Sequence, residues 1–99
     1  MLTLPIKKEW FDMILTGEKQ EEYRAVTPYY MSRFTNLWGR DRNKWSEKKT
    51  LRLRNGYSKD SPSALIEATL SLGGGRAKWG TRGEMYYILH IHNIMKEGS

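Results

Sequence analysis

Residues 64–72, ALIEATLSL, place Ile66, Ala68, Leu70 and Leu72 on one face of an extended chain. This alternation reads as a strand, so the expected fold contains a sheet with one apolar face. Two further segments repeat the alternation. In residues 50–54, TLRLR, Leu51 and Leu53 face inward and Arg52 and Arg54 outward. Residues 86–94, YYILHIHNI, read as the last strand. Residues 2–6 alternate Leu2, Leu4 and Ile6 with Thr3 and Pro5, and Pro5 puts this strand at a sheet edge because it has no N–H for a ladder. Residues 18–24, EKQEEYR, follow the helix stop at Gly17 and read as a short polar strand.

Two helices come early. Residues 7–16 carry Trp10, Met13 and Ile14 at helical spacing behind Ile6. Thr27-Pro28 starts the second, with Thr27 as cap, Pro28 at the first helical position, and Tyr30, Phe34 and Leu37 or Trp38 as its apolar stripe. Residues 39–49 and the glycine-rich residues 73–83 are loops, and Asn55-Gly56 signals a turn. With 99 residues the chain makes one domain, 1–99, with a thin core. The expected fold class is α+β, a small twisted β-barrel of about five strands with two flanking helices.

Cysteine is absent, so a disulfide scaffold, a thiolate zinc site and a cysteine nucleophile are excluded. His90 and His92 share a strand face but lack a third metal ligand, so neither a metal nor another cofactor is expected. No signal-peptide pattern or membrane-length apolar run is present, and a cytoplasmic monomer away from membranes is the expectation.

The net charge of +6 is unevenly placed. Residues 33–59 hold nine basic residues against two acids, and residues 73–83 add Arg76, Lys78 and Arg82. Aromatic rings are interleaved with these charges. Lys and Arg give phosphate contacts and rings stack bases, so nucleic acid or a nucleotide is the expected partner. A solvated basic loop anchored by its tryptophans is the plain alternative, and a grip on an acidic protein is another. Arg24, Arg33, Arg52 and Arg54 are candidates for one phosphate-binding wall. Gly73-Gly74-Gly75-Arg76 can present backbone N–H groups to a phosphate or be only a flexible connection. Asn55 can read a base edge or simply make the turn. Tyr57 and Trp79 are stacking candidates, although a tryptophan that pins its loop is the other reading of Trp79.

The most informative stretch is Gly17-Glu18-Lys19-Gln20-Glu21-Glu22-Tyr23-Arg24. Strand alternation puts Glu22 and Arg24 on one face and Lys19, Glu21 and Tyr23 on the other. Glu22 and Arg24 are thus placed to pair, and a lysine beside a carboxylate is placed for acid–base work. Gly17, Lys19, Glu22 and Arg24 meet all four fixed positions of GxKxxExR, and Leu4-Pro5-Ile6-Lys7-Lys8-Glu9-Trp10-Phe11 precedes them. In this order the chain resembles the ASCH domain family of the PUA-like superfamily. The resemblance implies a PUA-like barrel that binds RNA or another nucleic acid in a basic cleft, with Lys19 and Glu22 hydrogen-bonding sugar or base.

The resemblance also implies two enzymatic alternatives, an amidohydrolase acting on a nucleoside and a ribonuclease. In amidohydrolases of the family a Lys, a Thr and a Glu carry the chemistry. Lys19 matches the first, but Glu22 stands where the threonine would be, and the later glutamate has no match. Lys19 and Glu22 are therefore the catalytic candidates only in the enzyme reading.

Overall fold

A computed structural model describes residues 1–97. The elements run β1 (Thr3–Pro5), α1 (Lys8–Leu15), β2 (Glu21–Ala25), α2 (Pro28–Trp38), β3 (Lys49–Arg54), β4 (Ser63–Gly73) and β5 (Tyr86–Glu97). Short 3-10 turns at Arg42–Ser46 and Ala77–Trp79 interrupt the two long loops. The strands form one mixed sheet in the order β1-β3-β4-β5-β2. Only β1 and β3 run parallel, with Leu4 opposite Leu53 and Pro5 opposite Arg54. The alternation read in the sequence is realised: Leu51, Leu53, Ala64, Ile66, Ala68 and Leu70 are buried, and the residues between them are partly exposed. No helix among the described residues is long and apolar enough to cross a membrane.

The sheet curls into a half-barrel with two helices, within the α+β class. It does not close by hydrogen bonding. β1 has only three residues, one of them Pro5, and with β2 it forms the two sheet edges. A side chain bridges them instead: Arg24 Nη2 on β2 donates to the Pro5 carbonyl on β1 at 2.8 Å.

Both helices bury one face. α1 contributes Phe11 and Ile14, while Trp10 is only partly covered. Phe11 was not in the expected stripe. α2 opens as expected, with the Thr27 side chain accepting from the Tyr30 N–H and Pro28 in the first turn. It buries Phe34 and Trp38, and the Phe34 ring meets Tyr87 of β5 edge-on at 5.0 Å.

The second strand departs from the expected residues 18–24, since it begins only at Glu21. Gly17 adopts φ +84°, and the Lys19 N–H donates to the Met13 carbonyl at 3.0 Å. Residues 17–19 therefore stay wrapped against the C-terminal end of α1, while the Gln20 carbonyl already accepts from the Ile91 N–H of β5 at 3.0 Å. The final strand runs past residue 94 to Glu97, paired with the long β4 throughout, with a bulge between Glu67 and Ala68.

Candidate functional site

On β2 the residues aimed at the concave side of the sheet are charged. Glu22 lies opposite the buried Leu89 and Arg24 opposite the buried Tyr87, so both occupy positions that apolar residues fill on the inner strands. Lys19 joins them. Because residue 19 precedes the strand, its side chain does not follow the alternation expected for residues 18–24. It turns to Glu22, with Nζ–Oε1 at 2.7 Å, and also donates to the Glu21 carbonyl. The other carboxylate oxygen accepts from Arg24 Nη2 at 2.7 Å. One carboxylate thus joins two cations. The side chains of Lys19, Glu22 and Arg24 are 0%, 7% and 10% exposed.

The surroundings hold this triad in place. The Lys19 ammonium lies 5.0 Å from the centre of the Tyr23 ring and 5.5 Å from that of Trp10. Arg24 Nη1 donates to the Tyr30 hydroxyl at 3.2 Å, so α2 braces it from above. Burial pushes the Lys19 pKa below its ordinary value, against the pull of Glu22. Burial also opposes the charge on Arg24, but attraction to Glu22 and the bond to Tyr30 outweigh it and raise its pKa.

Tyr23 ties the glycine-rich loop to the triad. Its hydroxyl donates to Glu21 Oε1 at 2.6 Å and accepts from the Arg76 N–H at 3.0 Å. Burial, then the bond to Glu21, raises the Tyr23 pKa. The loop passes closely over this ring at Gly75, which has φ +67°. A Cβ there would sit 2.6 Å from Tyr23 Cε1 and 2.6 Å from Thr81 Cγ2. Gly75→Ala is expected to cost about 1–3 kcal/mol, through backbone strain and overpacking. Gly74→Ala, whose Cβ would come no nearer than 4.0 Å to the Glu84 carbonyl, is the control for thermal unfolding by circular dichroism.

Above the triad lies a cleft of about 360 Å³. Glu22 and Arg24 line it together with the rings of Trp10, Tyr23, Tyr30, Trp79 and Tyr86. Lys7 stands at its border with the β1–α1 connection, where α1 begins without a side-chain cap. Lys19 is sealed behind Glu22, Trp10 and Tyr23, so in this conformation it positions Glu22 and does not reach the cleft.

The expected arginine wall does not assemble. Of these four arginines Arg24 alone lines the cleft, and Glu22 takes its charge. Arg33 lies 3.6 Å above the Tyr29 ring on α2. Arg52 forms a two-bond pair with Glu97, at 2.6 and 3.0 Å. β3 turns Arg52 and Arg54 away from its core leucines, and the Arg54 Nε has no partner among the described residues. Asn55 spends its amide on the Ile6 carbonyl at 3.0 Å, pinning the β3–β4 turn to the start of α1. Tyr57, two residues on, is 91% exposed.

Trp79 is 7% exposed, so it both pins the loop and lines the cleft. Lys78 and Arg76 flank its ring at 4.8 and 5.5 Å. His90 and His92 each meet a hydroxyl of β4, Ser71 at 2.7 Å and Thr69 at 2.9 Å.

Sequence reasoning assigned Trp10 and Tyr30 to helix stripes and did not place them in a site. Their amphipathic rings with a polar tip are the signal that marks them. Compared with known proteins, the chain matches no family model, no curated protein and no solved structure.

Proposed function

We propose that the protein binds single-stranded RNA, or a modified nucleotide, in the cleft above Glu22 and Arg24, as a PUA-like domain of the ASCH type. One observation carries this reading: Glu22 and Arg24, backed by the buried Lys19, form the floor of an aromatic-walled cleft. Desolvating three charges is a poor way to gain stability, since apolar side chains of like volume do as well or better. A fixed carboxylate beneath several rings is instead suited to ligand recognition. Glu22 can accept from a base N–H, and the rings of Trp10, Trp79 and Tyr86 offer stacking surface. The volume of about 360 Å³ suits one nucleoside. The excess of basic residues elsewhere supplies long-range attraction for the phosphate chain.

A second reading, hydrolysis of a nucleoside or of RNA, has one support. Glu22 is a carboxylate that borders the cleft between two cations, and it is suited to activate water. Lys19 would then orient that carboxylate.

Titration with short single-stranded RNA, duplex DNA and free cytidine derivatives, at two salt concentrations, tests both. Quenching of tryptophan fluorescence by RNA is expected, with log affinity falling by roughly 0.7 per log unit of salt for each phosphate neutralised. No quenching by any of these ligands would overturn the cleft reading. A new product in the mixtures would replace binding by catalysis.

A further inference from the structure

The segment Pro5-Ile6-Lys7 borders two cavities. On one side is the aromatic cleft of about 360 Å³, and on the other a cavity of about 340 Å³ formed with Asn55, Gly56 and Tyr57. The segment is therefore a ridge between them. It is held at its middle residue by two hydrogen bonds. The Ile6 N–H donates to the Arg54 carbonyl at 3.0 Å, and the Ile6 carbonyl accepts from the Asn55 side chain, also at 3.0 Å. Lys7 is exposed and belongs to both cavities.

Tyr57 is the notable member of the second cavity. It is 91% exposed, the most exposed of the large apolar and aromatic side chains among the described residues. A tyrosine held on a turn with its ring in solvent adds nothing to the core. Its turn is nevertheless built with care: Asn55 N–H donates to the Pro62 carbonyl at 2.8 Å, and Ser58 N–H to Ser61 Oγ at 3.2 Å. The ring is thus presented from a tied turn that shares its cavity with Lys7, a lysine with no side-chain partner among the described residues.

We propose that the second cavity is a second nucleotide subsite, so that the ligand is a single strand straddling the ridge. One base enters the aromatic cleft, the linking phosphate crosses at Lys7, and the adjacent base stacks on Tyr57. A cation on the crest and a ring beyond it match the repeat of phosphate and base along a strand. This inference rests on the cleft reading and extends it from a single nucleotide to an oligonucleotide.

The test compares cytidine 5′-monophosphate with a single-stranded RNA hexamer of mixed sequence, for the wild type, Tyr57→Ala and Lys7→Gln. Tryptophan quenching reports the cleft and fluorescence anisotropy reports the hexamer. Tyr57→Ala is expected to narrow the hexamer's advantage over the mononucleotide by about fivefold or more, the lower end of one base–ring stack. Lys7→Gln is expected to reduce the salt slope for the hexamer by about 0.7, the loss of one phosphate contact. A hexamer that quenches the cleft tryptophans equally well in both variants, with unchanged slope, overturns the second subsite and leaves the cleft reading standing. A wild type that neither ligand quenches overturns both. Circular dichroism of Tyr57→Ala separates lost stacking from lost folding.

Discussion

Glu22→Gln is expected to lower the stability of the fold by about 3–5 kcal/mol in urea unfolding at pH 7. That is a large part of the roughly 5–15 kcal/mol that holds a typical domain together. The size follows from what the substitution leaves behind. Glu22 accepts from Lys19 and Arg24 at 2.7 Å each, and all three side chains are at least nine-tenths buried. With a neutral amide between them, two cations remain in a poorly solvated space. Lys19 then sheds its proton in the folded variant more easily than in the unfolded chain. The deficit accordingly shrinks as pH rises through the further-lowered Lys19 pKa. Lys19→Met is expected to cost less, because Glu22 keeps Arg24. Combining the two changes should recover about 1–3 kcal/mol relative to the sum of the single losses. Arg52→Ala is the surface control, since that pair with Glu97 is solvent-screened and its loss is expected to be small. A Glu22→Gln loss below about 1 kcal/mol would mean that water already solvates the triad.

The triad also shows what the sequence could and could not disclose. The pairing of Glu22 with Arg24 was legible, because alternation on a strand puts residues 22 and 24 on one face whatever surrounds them. The partnership of Lys19 was not. It depends on Gly17 at φ +84° and on the backbone bond from Lys19 to Met13, which keep residue 19 out of the strand. The inward faces of β3 and β4 were legible for the same period-two reason. The arginine wall failed because spacing fixes a face but not a partner: Arg52 is committed to Glu97, 45 residues away in sequence. The expected barrel is only half realised, because the edge strands β1 and β2 do not pair and are bridged by a side chain, Arg24 to the Pro5 carbonyl. The curvature of the half-barrel brings the edge strands close enough for that bond.

Trp38→Ala is expected to cost about 3–5 kcal/mol and to loosen the basic segment that follows α2. Trp38 is 2% exposed, packs against Phe34 at 6.0 Å and donates from Nε1 to the Glu47 carbonyl at 2.8 Å. The first two features predict a cavity that the surrounding strands cannot fill. The third joins the end of α2 to residue 47, and so brackets a stretch that carries Arg40, Arg42 and Lys44. Trp38→Phe separates these effects. It keeps most of the ring and loses the hydrogen bond, for which about 1 kcal/mol is expected. In that variant, amide exchange should quicken over residues 40–48 while β3 and β4 stay protected. The charges of the segment would survive but lose their fixed arrangement. Single-stranded RNA should then bind with a salt slope close to the wild type and a weaker affinity. Unchanged exchange would instead place the anchor at Trp45, whose ring lies 6.2 Å from that of Tyr87. In that case Trp45→Ala, rather than Trp38→Phe, is the substitution that frees the segment.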